Sequence, residues 1–166
     1  MKLSALSASA LLCAIVSTQA AIGTPSPVSA QLKEPVKSGL TLKSVGPLSF
    51  GDSGLLLIAE PSTASVVAVD TGDAGPLQKL AQPVEDTAAL VASALGTTAD
   101  QIQIVDMAVN PASGKTYFSV RNNAAKSVAI VMVDGAGKAK PLNLAACSHV
   151  RVTLPSAEST TIRNIS

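Results

Sequence analysis

Tryptophan is absent from the 166 residues, and the only aromatics are Phe50, Tyr117 and Phe118. Any core must therefore be aliphatic, built mainly from Val, Leu and Ala. Charged residues make up 14%, against roughly 25% in ordinary soluble chains. Neither sign prevails, since 12 basic residues face 11 acidic ones. That balance removes the electrostatic steering that nucleic acid or an anionic membrane surface would require. The 47% hydrophobic content argues against a long disordered tail, which needs low hydrophobicity and high net charge. One histidine and two cysteines are too few for a structural zinc site, which takes about four ligands. P-loop, Rossmann glycine and HExxH patterns are all missing. No segment reaches about 18 consecutive apolar residues, so no membrane span is expected. The length suits one ordinary domain.

What is present begins with an address. Met1-Lys2 is a short positive start, Leu3 to Val16 is uncharged and largely apolar, and Ser17-Thr18-Gln19-Ala20 supplies small residues at −3 and −1. Residues 1–20 therefore read as a secretory signal peptide cleaved after Ala20, with Ala30 as a second candidate site. The expected location is secreted or periplasmic. Cleavage removes Cys13 and Lys2, which leaves Cys147 alone, without an internal disulfide partner, and takes 12 basic residues to 11 against 11 acidic ones. Residues 21–40 carry several prolines and no periodicity, which predicts a flexible Pro/Ser-rich leader.

From about residue 41 the chain turns to short apolar runs separated by Gly, Pro, Asn and Asp, the pattern of strands and hairpins. Two stretches align. In the first, Pro47–Phe50 precedes Gly51-Asp52-Ser53-Gly54. The run Leu55–Ala59 follows, then a break at Glu60–Thr63, then Ser65–Val69 ending in Asp70-Thr71-Gly72. In the second, Ile104–Val109 precedes Asn110–Gly114. Thr116–Val120 follows, then a break at Arg121–Asn123, then Val128–Val133 ending in Asp134-Gly135. A fourth strand is expected in each, around Pro76–Leu80 and Lys140–Leu144. Gly54 and Gly114 occupy closing positions that favour positive φ.

These units resemble the blades of secreted bacterial β-propeller repeat proteins of the YVTN and NHL type. The resemblance rests on Pro47–Glu60 with Val66–Gly72, and on Asp106–Val120 with Val128–Gly135, about half of the chain. It implies an all-β fold of antiparallel propeller-type blades, with units at about 45–80 and 102–145 and a third unit starting at about 150–166. Two departures stand out. Gly54 and Gly114 lie about 60 residues apart, longer than the usual roughly 40 to 50 residues of a propeller repeat. The excess is Glu85–Leu95, which reads as one short inserted helix with Asp86 or Thr87 as cap and Gly96 as stop. Two blades also make an incomplete ring, since about four to eight are needed, so the expectation is part of a longer chain. The alternative is a small β-sandwich or barrel.

Several motifs suggest chemistry. Gly51-Asp52-Ser53-Gly54 is the tetrapeptide around a trypsin-like nucleophile, but His149 follows the serine instead of preceding it, and a hairpin turn accounts for all four residues. Val67–Gly72 is similar to the Asp-Thr-Gly loop of aspartic proteases, with Val131–Gly135 as a second copy lacking the threonine; equivalent turns in two repeats explain both. Cys147-Ser148-His149 offers a thiol and an imidazole with no third group to orient them, and reads as a half-buried thiol beside a surface histidine. Asp70, Asp73, Asp106 and Asp134 lie on separate turns and lack EF-hand spacing. No catalytic, cofactor-binding or metal residue is therefore assigned, and no cofactor is expected. The functional expectation is an exported binding or scaffold protein for a protein, glycan or small ligand. The alternative is the N-terminal part of a propeller hydrolase or lactonase whose channel metal is completed by further blades.

Overall fold

The computed structural model describes residues 35–155. The expected signal peptide, the first part of the expected leader and the residues after 155 lie outside the described residues. Eight strands and one helix follow one another: β1 (Leu48–Phe50), β2 (Leu55–Glu60), β3 (Ser65–Asp70), α1 (Thr87–Ala94), β4 (Ile102–Val109), β5 (Thr116–Asn122), β6 (Ser127–Val133), β7 (Ala139–Pro141) and β8 (His149–Thr153). They form two four-stranded antiparallel sheets. The first has the order β1-β2-β3-β8 and the second β4-β5-β6-β7. The chain is thus mostly β, as its composition and turn pattern predict, and neither sheet closes on itself.

The strands form where β-branched and aliphatic residues run without a breaker, and their period-2 alternation decides which face they bury. In β2 and β3, Leu56, Ile58, Val67 and Val69 are fully buried, while Leu55, Leu57, Val66 and Ala68 alternate with them at partial exposure. The buried set meets Tyr117 and Ile130 of the second sheet in one core, so the two sheets stack face to face. The reverse face of the second sheet presents Phe118, Val120, Val131 and Val133 to Val91 and Ala92 of α1. The order of layers is sheet, sheet, helix. The helix starts where the sequence suggests: Asp86 accepts the Ala89 amide at 2.8 Å, and Gly96 follows its end at φ +69°.

Four expectations change. The fourth strand of the first sheet is not Pro76–Leu80. The edge of β3 is filled by β8, which pairs from Val69 with His149 to Ser65 with Thr153. Residues around 150 therefore complete the first sheet instead of opening a third unit. The 76–81 segment runs across the turns of the second sheet instead, with the Gln78 amide on the Ser113 carbonyl and the Ala81 amide on the Gly135 carbonyl. That path requires glycine at the crossing point. Gly114 has φ +75°, and a Cβ there would lie 2.0 Å from the Gln78 carbonyl oxygen. Gly54 has the same role at the first sheet, with φ +84° and the Asp73 carbonyl oxygen 2.5 Å from a would-be Cβ. The linker between the sheets is thus laid over both glycine-closed hairpins.

The leader also ends earlier than Leu40. Val36 exchanges backbone hydrogen bonds with His149 at 2.9 and 2.8 Å, the Gly39 amide reaches Ala145, and Leu40 is 3% exposed in the core. Finally, Glu60 does not belong to the break after the second strand. It is the last residue of β2 and fully buried, and the break is the single 3-10 turn Pro61–Thr63.

Candidate functional site

Three segments meet where the seam between the sheets opens. The end of β3 brings Asp70, Thr71 and Gly72. The end of β6 brings Met132, and β7 with the following loop brings Lys140, Pro141, Leu142 and Asn143. The turn before β8 adds Ala146, Cys147 and Ser148. Together they line an open cleft of about 470 Å³. Its lining combines apolar side chains (Met132, Pro141, Leu142) with hydroxyls, an amide, one cation and one carboxylate. A few polar groups among apolar side chains is the arrangement of a site that orients a small polar ligand.

One wall is held by a buried carboxylate. Asp73, 7% exposed, follows the β3 turn and accepts four hydrogen bonds, three from the turn between β4 and β5 and one from Tyr117 of β5. Its Oδ2 receives Ser113 Oγ at 2.6 Å, Tyr117 Oη at 2.9 Å and Asn110 Nδ2 at 3.0 Å, and its Oδ1 receives Lys115 Nζ at 2.7 Å. Asn110 Nδ2 also donates to the Asp73 carbonyl at 2.7 Å. Burial alone would raise the pKa of Asp73, but the donors from Lys115, Ser113, Tyr117 and Asn110 outweigh it and hold the carboxyl below its ordinary value. Tyr117 responds the other way, since desolvation and then the Asp73 carboxylate push its phenol well above its ordinary value. A fully satisfied network of this kind rigidifies what it touches. Here it fixes Thr71 and Gly72 in the cleft lining, aided by Thr71 Oγ1 donating to the Gly54 carbonyl at 2.8 Å.

The four aspartates examined for metal binding serve separate purposes. Asp70 accepts the Gly72 amide at 2.9 Å, and Asp134 accepts the amides of Ala136 and Lys138 at 2.9 and 3.0 Å. Both cap the turn after the third strand of their own sheet. Asp106 sits just past a β-bulge in β4, and its Oδ2 accepts the Leu48 amide of β1 at 2.7 Å, tying one sheet to the other. Among the described residues, no three His, Cys, Asp or Glu side chains gather closely enough to hold a metal ion.

Asp52–Gly54 forms a short, kinked turn between β1 and β2, with Ser53 in the left-handed region at φ +56°. His149 is far from a surface residue: it is 8% exposed, with Nδ1 3.3 Å from the Cys147 carbonyl oxygen, because β8 is inserted between β3 and the Val36 bridge. Cys147 is partly buried on the cleft wall, with Sγ 3.3 Å from the Asn143 carbonyl oxygen. Desolvation and then the nearby Asp70 carboxylate raise its pKa, which keeps it a thiol and disfavours nucleophilic chemistry.

In the sequence, Lys140, Leu142 and Asn143 fall in the expected strand Lys140–Leu144 and Met132 in the run Val128–Val133, and nothing marks them as site residues. The cleft exists only once β8 returns to the first sheet. The chain matches no known family model, no curated protein and no solved structure. No helix among the described residues is long and apolar enough to cross a membrane.

Proposed function

We propose that the chain is an exported, non-enzymatic β-propeller-type binding or scaffold protein that takes a small polar ligand, or the tip of a glycan or peptide, in the cleft lined by Asp70, Lys140, Asn143 and Cys147. The observation that carries this reading is the cleft itself, a preformed opening of about 470 Å³ with one wall fixed by the Asp73 network. Preorganisation of this sort lowers the ordering cost of binding. The propeller-type reading is supported by two antiparallel four-stranded sheets stacked face to face, each with a glycine-closed first hairpin and an aspartate turn after its third strand. Export is supported by the sequence of residues 1–20 alone.

The test has two parts. Expression with the native N-terminus in a bacterial host, followed by intact mass, should give a chain that begins at Ala21. An NMR screen of sugars, amino acids and short peptides should then give ligands whose shifts centre on Asp70–Gly72, Lys140–Asn143 and Cys147. Lys140→Ala with Asn143→Ala should weaken them about tenfold without altering the melting temperature. Ligands that map elsewhere and ignore that pair of substitutions would remove the cleft as the site.

A further inference from the structure

The opposite mouth of the inter-sheet seam differs in charge. There a second depression of about 270 Å³ is lined by Lys43, Ser44, Arg121, Asn122, Asn123, Lys126, Ser127 and Val128. Three exposed cations from three places line it: Lys43 from the segment before β1, Arg121 from the end of β5, and Lys126 from the β5–β6 turn. Among the described residues none of the three forms a salt bridge, and no carboxylate lines the depression. The nearest buried acid, Glu60, accepts the Lys43 amide at 2.6 Å and is already paired with Arg151. In a chain whose charges otherwise balance, three like charges at one mouth repel each other, a cost that a bound anion removes.

The backbone adds an independent observation. Lys126 stands at φ +50°, in the left-handed region where glycine or asparagine would be less strained. That turn carries the third cation of the lining. The remaining lining carries no charge: Ser44 Oγ is engaged with Ser62 and Asn122 Oδ1 accepts the Ala125 amide. Ser127, Asn123 and the Asn122 amide nitrogen are left to hydrogen-bond a ligand, and the planar fork of Arg121 suits a carboxylate or sulfate. A depression of about 270 Å³ is larger than a bare phosphate or sulfate needs and admits a single sugar ring.

We infer that this depression binds an acidic sugar residue of a glycan, its oxyanion held by Lys43, Arg121 and Lys126 and its hydroxyls by Ser127, Asn122 and Asn123. The site is separate from the cleft at the other mouth and does not depend on the proposal made for it. The oxyanion is either a uronate carboxylate or a sulfate ester, and the test distinguishes the two.

The full chain, isotope-labelled, is titrated by NMR with a galacturonate trisaccharide, a sulfated trisaccharide, an uncharged trisaccharide and inorganic phosphate. One of the charged sugars should shift the amides of Lys43, Ser44 and Arg121–Ser127, and raising the salt concentration should weaken it. The tighter of the two charged sugars identifies the oxyanion. Lys126→Gly should lower affinity several-fold while the melting temperature holds or rises, because it relieves the positive φ. Lys43→Ser with Arg121→Ser and Lys126→Gly should lower affinity at least about tenfold. Equal binding of the uncharged sugar overturns the inference, as does phosphate binding as tightly as the sugars. Failure of both charged sugars to bind, or affinity unaffected by the substitutions in a folded protein, overturns it as well.

Discussion

The two sheets have the same number of strands and the same direction of pairing, yet they are assembled differently. The second is a continuous meander, β4 to β7, built from one stretch of chain and covered on its reverse face by α1. The first is composite: three strands come from residues 48–70, and the fourth is brought back from residues 149–153. On its reverse face Leu55, Leu57, Val66 and Val150 are partly exposed, and Val152 is 55% exposed. The way each is held together differs too. Apolar packing joins α1 to the second sheet, whereas β8 is joined to the first partly by charge. Glu60, 0% exposed, pairs with Arg151 of β8, and Arg151 Nη2 also donates to the Thr41 carbonyl at 2.9 Å. Local order supports the second sheet; long-range order supports the first.

The largest effect should come from breaking that joint. Arg151→Ala leaves the Glu60 carboxylate buried without its cation, and loss of one partner of a buried pair costs about 3 to 5 kcal/mol. Urea unfolding should show a drop near the lower figure, since Arg151 retains a third of its exposure. Hydrogen exchange should rise first in β8, β3 and the Val36 bridge while β5 and β6 stay protected. Glu60→Gln with Arg151→Met should recover much of the loss, because no buried charge then remains at this joint. A cost for Arg151→Ala below about 1 kcal/mol would place the pair with exposed ion pairs and erase the contrast between the sheets.

Much of this architecture is legible in the sequence, and the exceptions have a common cause. The runs Leu55–Ala59, Ser65–Val69, Thr116–Val120 and Val128–Val133 became strands because their alternation and their bounding turns are local properties. The inserted helix at 85–95 appears as Thr87–Ala94 for the same reason, with the Asp86 cap in place. The pairing of β8 with β3 is different. It joins residues about 80 positions apart, and no periodicity records which free edge a late strand will fill. The misplacement of Pro76–Leu80 and of the third unit, and the assignment of His149 to the surface, all follow from that one long-range pairing. The Asp73 network was equally hidden, since Asp73 reads as one turn aspartate among several until Asn110, Ser113, Lys115 and Tyr117 are folded against it. Both candidate sites are built from segments far apart in sequence, which is why neither has a motif.

A middle-sized effect should separate the two glycine-closed hairpins. Alanine at either position must adopt positive φ, which costs about 1 to 2 kcal/mol, and must also displace a linker carbonyl. The approach is closer at Gly114, 2.0 Å to the Gln78 oxygen, than at Gly54, 2.5 Å to the Asp73 oxygen. Gly114→Ala should therefore be the more destabilising, by thermal melt, with Gly54→Ala somewhat milder. Gly54→Ala should in addition disturb the Asp73 loop and shift the NMR signals of Thr71 and Gly72 in the cleft lining. The reverse order of the two melting temperatures would mean that the linker is held more rigidly over the first sheet than over the second.

The smallest effect concerns the one network that spans both regions. Tyr117→Phe removes a single donor to Asp73 and keeps the ring that meets Phe50 edge-on, with centroids 5.0 Å apart. A hydrogen bond to a charged group contributes about 1.5 to 3 kcal/mol, and three other donors to the carboxylate remain, so the loss at neutral pH should fall near 1.5 kcal/mol. The pH dependence gives a sharper reading. The folded pKa of Asp73 lies below its ordinary 3.8, so its stabilising contribution is present in full above that value and is lost as pH falls through the folded pKa. Removal of the Tyr117 hydroxyl takes away one of the lowering influences and moves the folded pKa up toward 3.8. The variant should thus lose less stability than the parent as acid is added, and the two stability curves should converge below about pH 4. Curves that stay parallel down to pH 2 would mean that Tyr117 stabilises both protonation states equally. The Asp73 network would then act through packing and neutral hydrogen bonds, not through its charge.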